Sequence, residues 1–433
     1  MKNPTMKGEA ITPGQEYHIF ETTDPIMKRL IALTLFSALA CGLVTTEACT
    51  TFIISGNYTP DGRPILYKHR DTGTLDNALA YFNDGRYPYI AVINANKNWK
   101  REVWGGYNSA GFAIMNSVAY NMNVGDTTTF ADQEGELMKM ALMNCATVED
   151  FEKMLNDLPK PLGADANFGV IDARGGAAYF ETGNRGFNII NVNDPAIAPF
   201  GYVIRTNHAF TGSPEKGTGY IRYETAENVL QDVAAARRYD PGYLFNNISR
   251  NLTHSLTGDN LAVNIPENSM KPDYRFFEDY IPRITTASVM MVVGTGIGED
   301  PSNTMMWTIL GFPLTSVALP VWITSDGSLP AVARSGENFH APICDAALLL
   351  KEPCFPITRG SGKKYIDLSR VLNKEGSGSM QVLQSIEKEI FSRVPQENIL
   401  KGQKRDATII EFYGWLDSFL ESRYKELFGM DIF

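Results

Sequence analysis

The stretch CTTFIISGNYTPDGRPILYKHRDTG, residues 49–73, decides the predicted fold. Its first part, TFIISGNY (51–58), is β-branched and apolar, which favours a strand. PDGR (60–63) has the composition of a turn, and PILYKHRD (64–71) is typical of the returning strand. The sequence therefore predicts a β-hairpin whose first strand begins directly after Cys49.

The residues before this hairpin have the pattern of a secretory signal peptide. Lys28 and Arg29 precede an apolar run that is followed by a short polar tail ending at Ala48. The run is shorter than the ~20 residues that a membrane-spanning helix needs. Cleavage after Ala48 would make Cys49 the first residue of the mature chain; a signal anchor that stays attached is the alternative.

This pattern leads to three expectations about organisation and localisation. Residues 27–48 are the signal peptide, and residues 1–26 are a non-native upstream extension, because a signal peptide normally starts at the initiating methionine. Residues 49–433 form a single domain that ends in helices from about residue 379. The protein is secreted or periplasmic, with no stable membrane insertion after cleavage.

Composition and charge exclude several other classes of function. The 433 residues are 44% hydrophobic and 20% charged, which is typical of a globular protein. The formal net charge of −10, without a basic block, argues against nucleic acid as a partner. The sequence has no CxxC, HExxH or clustered Cys/His motif, so we expect neither a metal nor another cofactor. Two glycine-rich segments, 294–298 and 360–364, lack the spacing of a nucleotide-binding loop.

The order of predicted elements favours an α+β fold. Strands are predicted at 89–96, 106–120, 167–181, 201–209, 286–294, 305–313 and 318–324. Helices are predicted at 132–158 with an interruption near Ala146, at 221–239, at 241–252, and in two segments after residue 379. Thr147 is the expected cap of the second half of the first helical stretch. Groups of strands and helices without β-α-β alternation indicate antiparallel sheets with helices in separate layers.

Four cysteines follow Ala48. An exported protein can form disulfides, so Cys344 and Cys354 are candidates for a pair, although the sequence does not establish it. Cys145 follows an apolar helical face and is expected to be a buried thiol. Cys49 differs from these because cleavage after Ala48 would give it both a thiol and an α-amine.

That combination is chemically useful. An α-amine has a pKa of about 7.7–8.0, which suits a general base near neutral pH, so Cys49 would supply its own base. The hairpin brings KHRD (68–71) beside Cys49, where a cation would lower the thiol pKa. Arg70 and Asp71 should face opposite sides of their strand unless a bulge intervenes. An ion pair at the strand end is the alternative interpretation of these two residues.

Taken with three further motifs, residues 49–73 resemble the start of the N-terminal-nucleophile (Ntn) cysteine amidases. This superfamily includes choloylglycine hydrolases, penicillin V acylases and the acyl-coenzyme A:6-aminopenicillanic acid acyltransferases. The other motifs are GYNSAGFAIMNS (106–117), NFGVIDARGGAAYFE (167–181) and RTNHAF (205–210). The resemblance implies an αββα four-layer sandwich, to which this chain adds C-terminal helices.

The resemblance also implies roles for individual residues. Cys49 would be the nucleophile, Asp71 would anchor its amine, and Asn207 would help to form the oxyanion hole. The basic residue that tunes the nucleophile corresponds to Arg70, or else to Lys68, three residues before the aspartate. Two looser correspondences are Asn116, as a second oxyanion contributor, and Arg283, as a distal arginine.

These features together predict a hydrolase that cleaves a linear amide C–N bond through a Cys49 thioester. The partner would be a small-molecule amide, and a homo-oligomer is compatible with the sequence. Three alternatives stay open: an acyltransferase, an N-terminal-cysteine dipeptidase, and an inactive binding protein on the same fold. The acyl and amine parts of the substrate cannot be identified from the sequence.

Overall fold

Two antiparallel β-sheets form the centre of the protein in this computed structural model, which describes residues 48–96, 98–128, 132–336, 339–395 and 402–433. The predicted upstream extension, 1–26, and the predicted signal peptide up to residue 47 lie outside the described residues. Ala48 and Cys49 are both described, and the chain runs continuously from one to the other.

The strands, in chain order, are β1 (Thr50–Ile54), β2 (Ile65–Asp71), β3 (Asn77–Phe82), β4 (Tyr89–Asn94), β5 (Gly106–Asn108), β6 (Ala113–Val118), β7 (Ala166–Ile171), β8 (Ala177–Thr182), β9 (Phe187–Asn191), β10 (Tyr202–Arg205), β11 (Tyr274–Phe276), β12 (Thr286–Val293), β13 (Met305–Leu310), β14 (Leu319–Val321) and β15 (Tyr365–Asp367). The first sheet has the order β10-β1-β2-β12-β13-β14, and the second runs from β3 to β9 in chain order. Strands β11 and β15 form a separate two-stranded sheet.

The helices are α1 (Glu134–Asn144), α2 (Val148–Asp157), α3 (Tyr220–Ala236), α4 (Pro241–Leu244), α5 (Pro342–Lys351), α6 (Leu368–Val371), α7 (Ser379–Arg393) and α8 (Arg405–Phe428). A π-helical turn, Phe245–Ser249, follows α4 directly, so the helix predicted at 241–252 is short and changes its hydrogen-bonding pattern. No helix within the described ranges is both long and apolar enough to cross a membrane.

The predicted hairpin lies at the centre of the first sheet. Strand β1 pairs antiparallel with β2 from Ile54↔Ile65 to Thr50↔His69, and its other edge pairs with β10. All five residues of β1 and all seven of β2 are buried. Both faces of the hairpin are therefore covered, which explains why apolar residues run along it without strict alternation.

The two large sheets pack face to face, and helices cover their outer faces. Thr51 in β1 accepts a hydrogen bond from Tyr179 in β8 at 3.0 Å across the sheet interface. On the outer side of the second sheet, Phe151 of α2 packs its ring against Phe168 and Phe180 at centroid distances of 5.8 and 5.0 Å. Helix α3 covers the outer side of the first sheet. The αββα architecture predicted from the sequence is therefore confirmed.

Most of the local predictions are confirmed, and the structure adds several elements that were not predicted. The helical stretch 132–158 divides into α1 and α2, and Thr147 caps α2 by accepting a hydrogen bond from the Asp150 backbone N–H. The two C-terminal helices are α7 and α8. The elements that were not predicted are strands β3, β9, β11 and β15 and helices α5 and α6. Helix α5 is short and largely buried, so it lacks a clear amphipathic period.

Candidate active site

Cys49 lies at the head of β1, where the chain enters the first sheet. It is 4% exposed, and its carbonyl oxygen accepts a hydrogen bond from Arg222 Nη1 at 2.6 Å. The preceding residue, Ala48, is 2% exposed, and its backbone N–H donates to the Asp71 carbonyl at 3.4 Å. The peptide bond whose cleavage would create the α-amine is thus held inside the folded protein.

The other three described cysteines are poor nucleophiles. Cys145, Cys344 and Cys354 are buried thiols, and burial raises the pKa of each to about 12. The candidate pair Cys344–Cys354 is not disulfide-bonded in this structure, whereas Cys145 is the buried thiol that was predicted. These three thiols would be protonated at neutral pH and therefore unreactive.

Strand β2 presents its charged residues alternately to its two faces. Lys68 and Arg70 point toward the second sheet, where Arg70 Nη1 donates to Asn77 and Asn94 at 2.9 and 3.0 Å. Asp71 points to the opposite face, where its Oδ1 accepts from Thr286 Oγ1 at 2.7 Å. A register shift in β12 lies beside these residues, but it does not bring Arg70 and Asp71 to the same face.

Asp71 is a fully buried carboxylate among cations. Burial raises its pKa, and the charges of Arg283 and Arg222 oppose this effect. Its Oδ2 atom has no hydrogen-bond partner among the described residues. Because a buried carboxylate oxygen normally has a partner, this atom could accept a hydrogen bond from an additional donor such as a newly formed amine.

His69 is buried beside Asp71. Because Thr286 Oγ1 donates to Asp71, it can accept from His69 Nε2–H, 3.0 Å away. Burial, together with the charges of Arg222 and Arg283, lowers the pKa of His69 to about 3. His69 is therefore neutral at neutral pH and cannot serve as a cationic partner for the thiol.

Lys68 and Asn116 form one chain of hydrogen bonds that ends at a carboxylate. Lys68 Nζ donates to the Trp104 carbonyl at 2.9 Å and to Asn116 Oδ1. Asn116 Nδ2 donates to Glu134 Oε2 at 2.5 Å, and Glu134 is 3% exposed. Lys68 is opposite Thr51 in the hairpin, so it is a diagonal neighbour of residue 49 on the same face. The same register continued by one residue puts Arg70 directly opposite residue 49, so two cations of β2 flank that position on one face.

Asn207 follows β10 and is completely buried. Its Oδ1 accepts from Arg222 Nη2 at 2.6 Å, and its Nδ2 donates to the Val118 carbonyl at 3.1 Å. These two contacts fix which end of the amide is the oxygen and which is the nitrogen. Through Arg222, Asn207 and Cys49 belong to one rigid network.

Arg222 is the main residue of the site that the sequence reasoning missed. Besides Cys49 and Asn207, it donates to Thr50 Oγ1 at 2.9 Å, and it is 1% exposed. Space for it depends on Gly219, whose φ is +84° and where a Cβ would lie 2.6 Å from Arg222 Nη2. The buried positions of α3 include Ala226, Leu230 and Val233, so an arginine within an apolar helical stripe was the available signal.

Arg283, the most loosely predicted residue, lies near the same centre. Its backbone N–H donates to Thr286 Oγ1 at 2.9 Å, and its side chain is half-buried. Its charge acts on Asp71, His69 and Arg222. The structure thus gathers the predicted residues around the ends of β1, β2 and β10.

A small cavity borders this centre. Its volume is about 280 Å³, and it reaches Val118, whose carbonyl contacts Asn207, and Glu134, which contacts Asn116. Asp132 and Asp165 also line it, and burial raises the pKa of Asp165 to about 6. A larger cavity, of about 620 Å³, is lined by Ile65 and other residues at the opposite end of β2 from Asp71. Of these two cavities, only the smaller is lined by residues that contact Asn207 and Asn116.

One group of side chains could offer ligands to a metal ion. Asp76, His340 and Asp345 present atoms within 4.8 Å of one another. His340 Nδ1 already lies 3.1 Å from Asp345 Oδ1, and all three side chains are over two-fifths exposed. An ordinary surface ion pair accounts for this arrangement.

Comparison with known proteins relates one segment of the chain to a family. Residues 61–237 match the model of the acyl-coenzyme A:6-aminopenicillanic acid acyl-transferase family. This match confirms, over that segment, the resemblance to Ntn amidases and acyltransferases that the motifs predicted. The matched segment contains Asp71, Asn207 and Arg222, and it begins after Cys49. No curated protein gives a match to the sequence.

Solved structures of this class are also similar to the chain. Penicillin V acylase from Agrobacterium tumefaciens is 14% identical, with 64% of this chain and 87% of that chain covered and a TM-score of 0.38. An N-acylethanolamine-hydrolyzing acid amidase ortholog from Caenorhabditis elegans is 14% identical, with 58% and 95% covered and a TM-score of 0.38. A variant of conjugated bile acid hydrolase from Clostridium perfringens is 10% identical, with 64% and 92% covered and a TM-score of 0.38.

Proposed function

We propose that this protein is an N-terminal-nucleophile amidohydrolase that cleaves a linear amide through a thioester on Cys49. The observation that carries the proposal is the network in which Arg222 holds both the Cys49 carbonyl and the Asn207 amide. A buried guanidinium that fixes a cysteine and an amide donor together is expected where an acyl group and its oxyanion must be positioned.

Cleavage after Ala48 comes first in the proposed mechanism, because it releases the α-amine of Cys49. Asp71 is the anchor for that amine: its backbone already contacts residue 48, and its buried Oδ2 can accept a hydrogen bond. The amine then takes the proton of the thiol, as a base with a pKa of about 7.7–8.0 can do near neutral pH. Arg70, opposite residue 49, and Lys68, its diagonal neighbour on the same face, favour the thiolate.

The thiolate attacks the amide carbonyl, and the oxyanion of the tetrahedral intermediate accepts a hydrogen bond from Asn207 Nδ2. The α-ammonium gives its proton to the leaving amine as the C–N bond breaks, which leaves an acyl thioester on Cys49. Water, deprotonated by the same amine, attacks the thioester and releases the carboxylic acid. In this scheme Asn116 orients Lys68, because its Oδ1 accepts a hydrogen bond from Lys68 Nζ.

The family match favours acyl transfer as the second candidate function, because the matched family is named for an acyltransferase. The two outcomes share every step up to the thioester. They differ in whether water or a second amine resolves it, so an added amine that diverts product from acid to new amide would identify the transferase.

A direct test begins with the mass of the mature chain after export, which we expect to start at Cys49. The purified protein is then offered N-acyl amino acids, acylated amines, bile-salt conjugates, penicillin V and dipeptides. We expect turnover of at least one of these amides, loss of turnover in Cys49→Ala, and retention in Cys145→Ala as the matched thiol control. Full activity in Cys49→Ala would rule out the proposed nucleophile, and turnover of dipeptides alone would identify a dipeptidase.

A further inference from the structure

The cavity of about 620 Å³ at the far end of the first sheet has no part in the proposed reaction. It lies between the start of β2, the ends of α3 and α7, and the loop before β13, and Ile65, Val293 and Met305 contribute to its wall. Its volume falls within the range of roughly 300–1,000 Å³ that is usual for small-molecule sites.

The cavity is separate from the Cys49 centre. Ile65 is the first residue of β2 and Asp71 the last, and the paired strand β12 places Val293 opposite Ile65 and Thr286 opposite Asp71. A strand rises about 3.3 Å per residue, so the two ends are ~20 Å apart. A ligand in the cavity would therefore not contact Cys49.

Aromatic rings give the cavity an apolar, flat-sided interior. Trp307 and Trp322 line it, and each is 2% exposed, whereas Tyr239 and Phe391 are half-buried. Trp307 stacks on Phe391 with a centroid distance of 4.5 Å and an interplanar angle of 29°. Such walls favour a ligand with a flat aromatic or alicyclic body.

Cations gather at the polar part of the lining. Three guanidinium groups, Arg63, Arg237 and Arg238, line the cavity with two carboxylates, Asp61 and Asp240. This local excess of positive charge occurs in a chain whose net charge is −10. Arg63 donates to two backbone carbonyls, Gly294 and Asn303, at 2.6 and 2.8 Å, which hold its guanidinium in the cavity wall.

Arg237 occupies a backbone position that normally favours glycine. It is the C-terminal cap of α3 with φ of 53°, in the left-handed region. The Arg237 side chain is exposed at the cavity. The next residue, Arg238, forms a salt bridge in which its Nε lies 4.0 Å from Asp240 Oδ2, and both side chains are more than half exposed. Such a pair is easily exchanged for a ligand anion.

We propose that this cavity binds an amphipathic anion with a flat apolar body, such as an aromatic carboxylate or sulfonate, independently of the Cys49 site. The apolar body lies against Trp307 and Phe391, and the anionic group meets Arg237 and Arg238. The proposal does not depend on the amidase mechanism, because none of these residues takes part in it.

Fluorescence titration of the full chain tests the proposal with two matched probes. 1-Anilinonaphthalene-8-sulfonate carries the anion, and N-phenyl-1-naphthylamine has the same rings without it. We expect one site per chain for the sulfonate and binding about fivefold weaker for the uncharged probe. Cys49→Ala should bind both probes as the wild type does, which separates this result from the outcome of the amidase assays.

Three variants identify the site. Phe391→Ala should weaken both probes by about tenfold, because it removes the ring that stacks on Trp307. The double variant Arg237→Gln/Arg238→Gln should weaken the sulfonate by about fivefold and change the uncharged probe by less than twofold. Arg359→Gln, an equally exposed arginine outside the lining, is the control.

The double variant decides the question, since both arginines are exposed and their replacement leaves the core intact. Equal affinity for the two probes, or an unchanged affinity of the double variant for the sulfonate, would overturn the proposal. So would the same loss in Arg359→Gln, because the effect would then reflect general surface charge.

Discussion

Replacing Arg222 with methionine tests how the candidate active site is held together. The arginine donates to the Cys49 carbonyl at 2.6 Å, to Thr50 Oγ1 at 2.9 Å and to Asn207 Oδ1 at 2.6 Å, and its side chain is 1% exposed. Methionine is similar in length and has no donor. The substitution therefore removes all three hydrogen bonds while it fills much of the same space.

Two opposing effects set the change in stability. Removing the charged member of a buried polar network costs about 3–5 kcal/mol, because its partners stay buried without donors. However, burial lowers the pKa of Arg222 from 12.5 to about 10. This shift means that the charge on the guanidinium destabilises the folded state by about 3 kcal/mol. Methionine removes that cost, so we expect a net loss of only about 0–2 kcal/mol in the free energy of unfolding.

The effect on catalysis should be much larger. Arg222→Met removes the hydrogen bond that Nη2 donates to Asn207 Oδ1, so the amide can rotate away from the oxyanion. Loss of one oxyanion donor lowers kcat by about 10²–10³-fold. We therefore expect Arg222→Met to stay folded and to lose at least about 100-fold in kcat, with Arg222→Lys also impaired because an ammonium cannot reproduce the planar fork.

Urea unfolding and turnover of whichever amide is hydrolysed measure the two effects, and Arg250→Met is the matched control. Arg250 is also buried, and it forms hydrogen bonds of 3.0 and 2.7 Å with Glu387, away from the site. We expect this control to lose about 3–5 kcal/mol of stability with kcat unchanged in the folded fraction. If Arg222→Met keeps kcat within about threefold of the wild type, Arg222 is structural and the reasoning is wrong.

Three further predictions concern pH. Burial raises the pKa of Asp71, so its charge destabilises the folded state above that raised pKa. The Asp71→Asn variant should therefore have a higher Tm than the wild type at pH 7.5, and the difference should disappear as pH falls to about 4. The same variant should have no turnover. An equal or lower Tm at pH 7.5 would contradict this. The pKa of Glu181 is lowered, chiefly by Arg205 acting against burial, so its contribution is present above about pH 4.3 and is lost as pH falls through the lowered pKa. Glu181→Gln should therefore cost about 3 kcal/mol in urea unfolding at pH 7 and much less at pH 3; equal losses at both would refute the pairing. The acidic limb of the pH profile of kcat/KM should lie near the α-amine pKa of about 7.7–8.0. It should stay there in His69→Gln, because the pKa of His69 is about 3. If the acidic limb moves in this variant, it reports the titration of the histidine and not of the amine.

The sequence predicts well those features that depend on neighbouring residues. The hairpin at 49–73 was recognised because β-branched strands flank a PDGR turn, and both strands and their pairing are present. The Thr147 cap depends on residues within one turn of helix, and it too is present. Such local patterns determine where an element begins and ends with little help from the rest of the chain.

The contacts that assemble the site are different because they join distant parts of the chain. Arg222 reaches Cys49 across 173 positions, and Lys68 reaches Asn116 across 48. These contacts depend on which strands become neighbours and on their register, which a single sequence does not reveal. A buried arginine on a helix was visible as a polar residue in an apolar stripe, but its partners were not.

Burial of residues 48 and 49 bears on how Cys49 gains its α-amine. Ala48 is 2% exposed and Cys49 is 4% exposed, and both are hydrogen-bonded on their backbones. A peptidase needs an accessible, extended segment, so an external enzyme would have to cut before this fold forms. Cleavage after folding would require Cys49 itself. The Cys49→Ala variant of the full sequence separates the two routes, since a signal peptidase would still accept alanine after Ala48. We expect its mass to show cleavage after Ala48 if the peptidase acts, and retention of the preceding residues would assign the cut to the thiol.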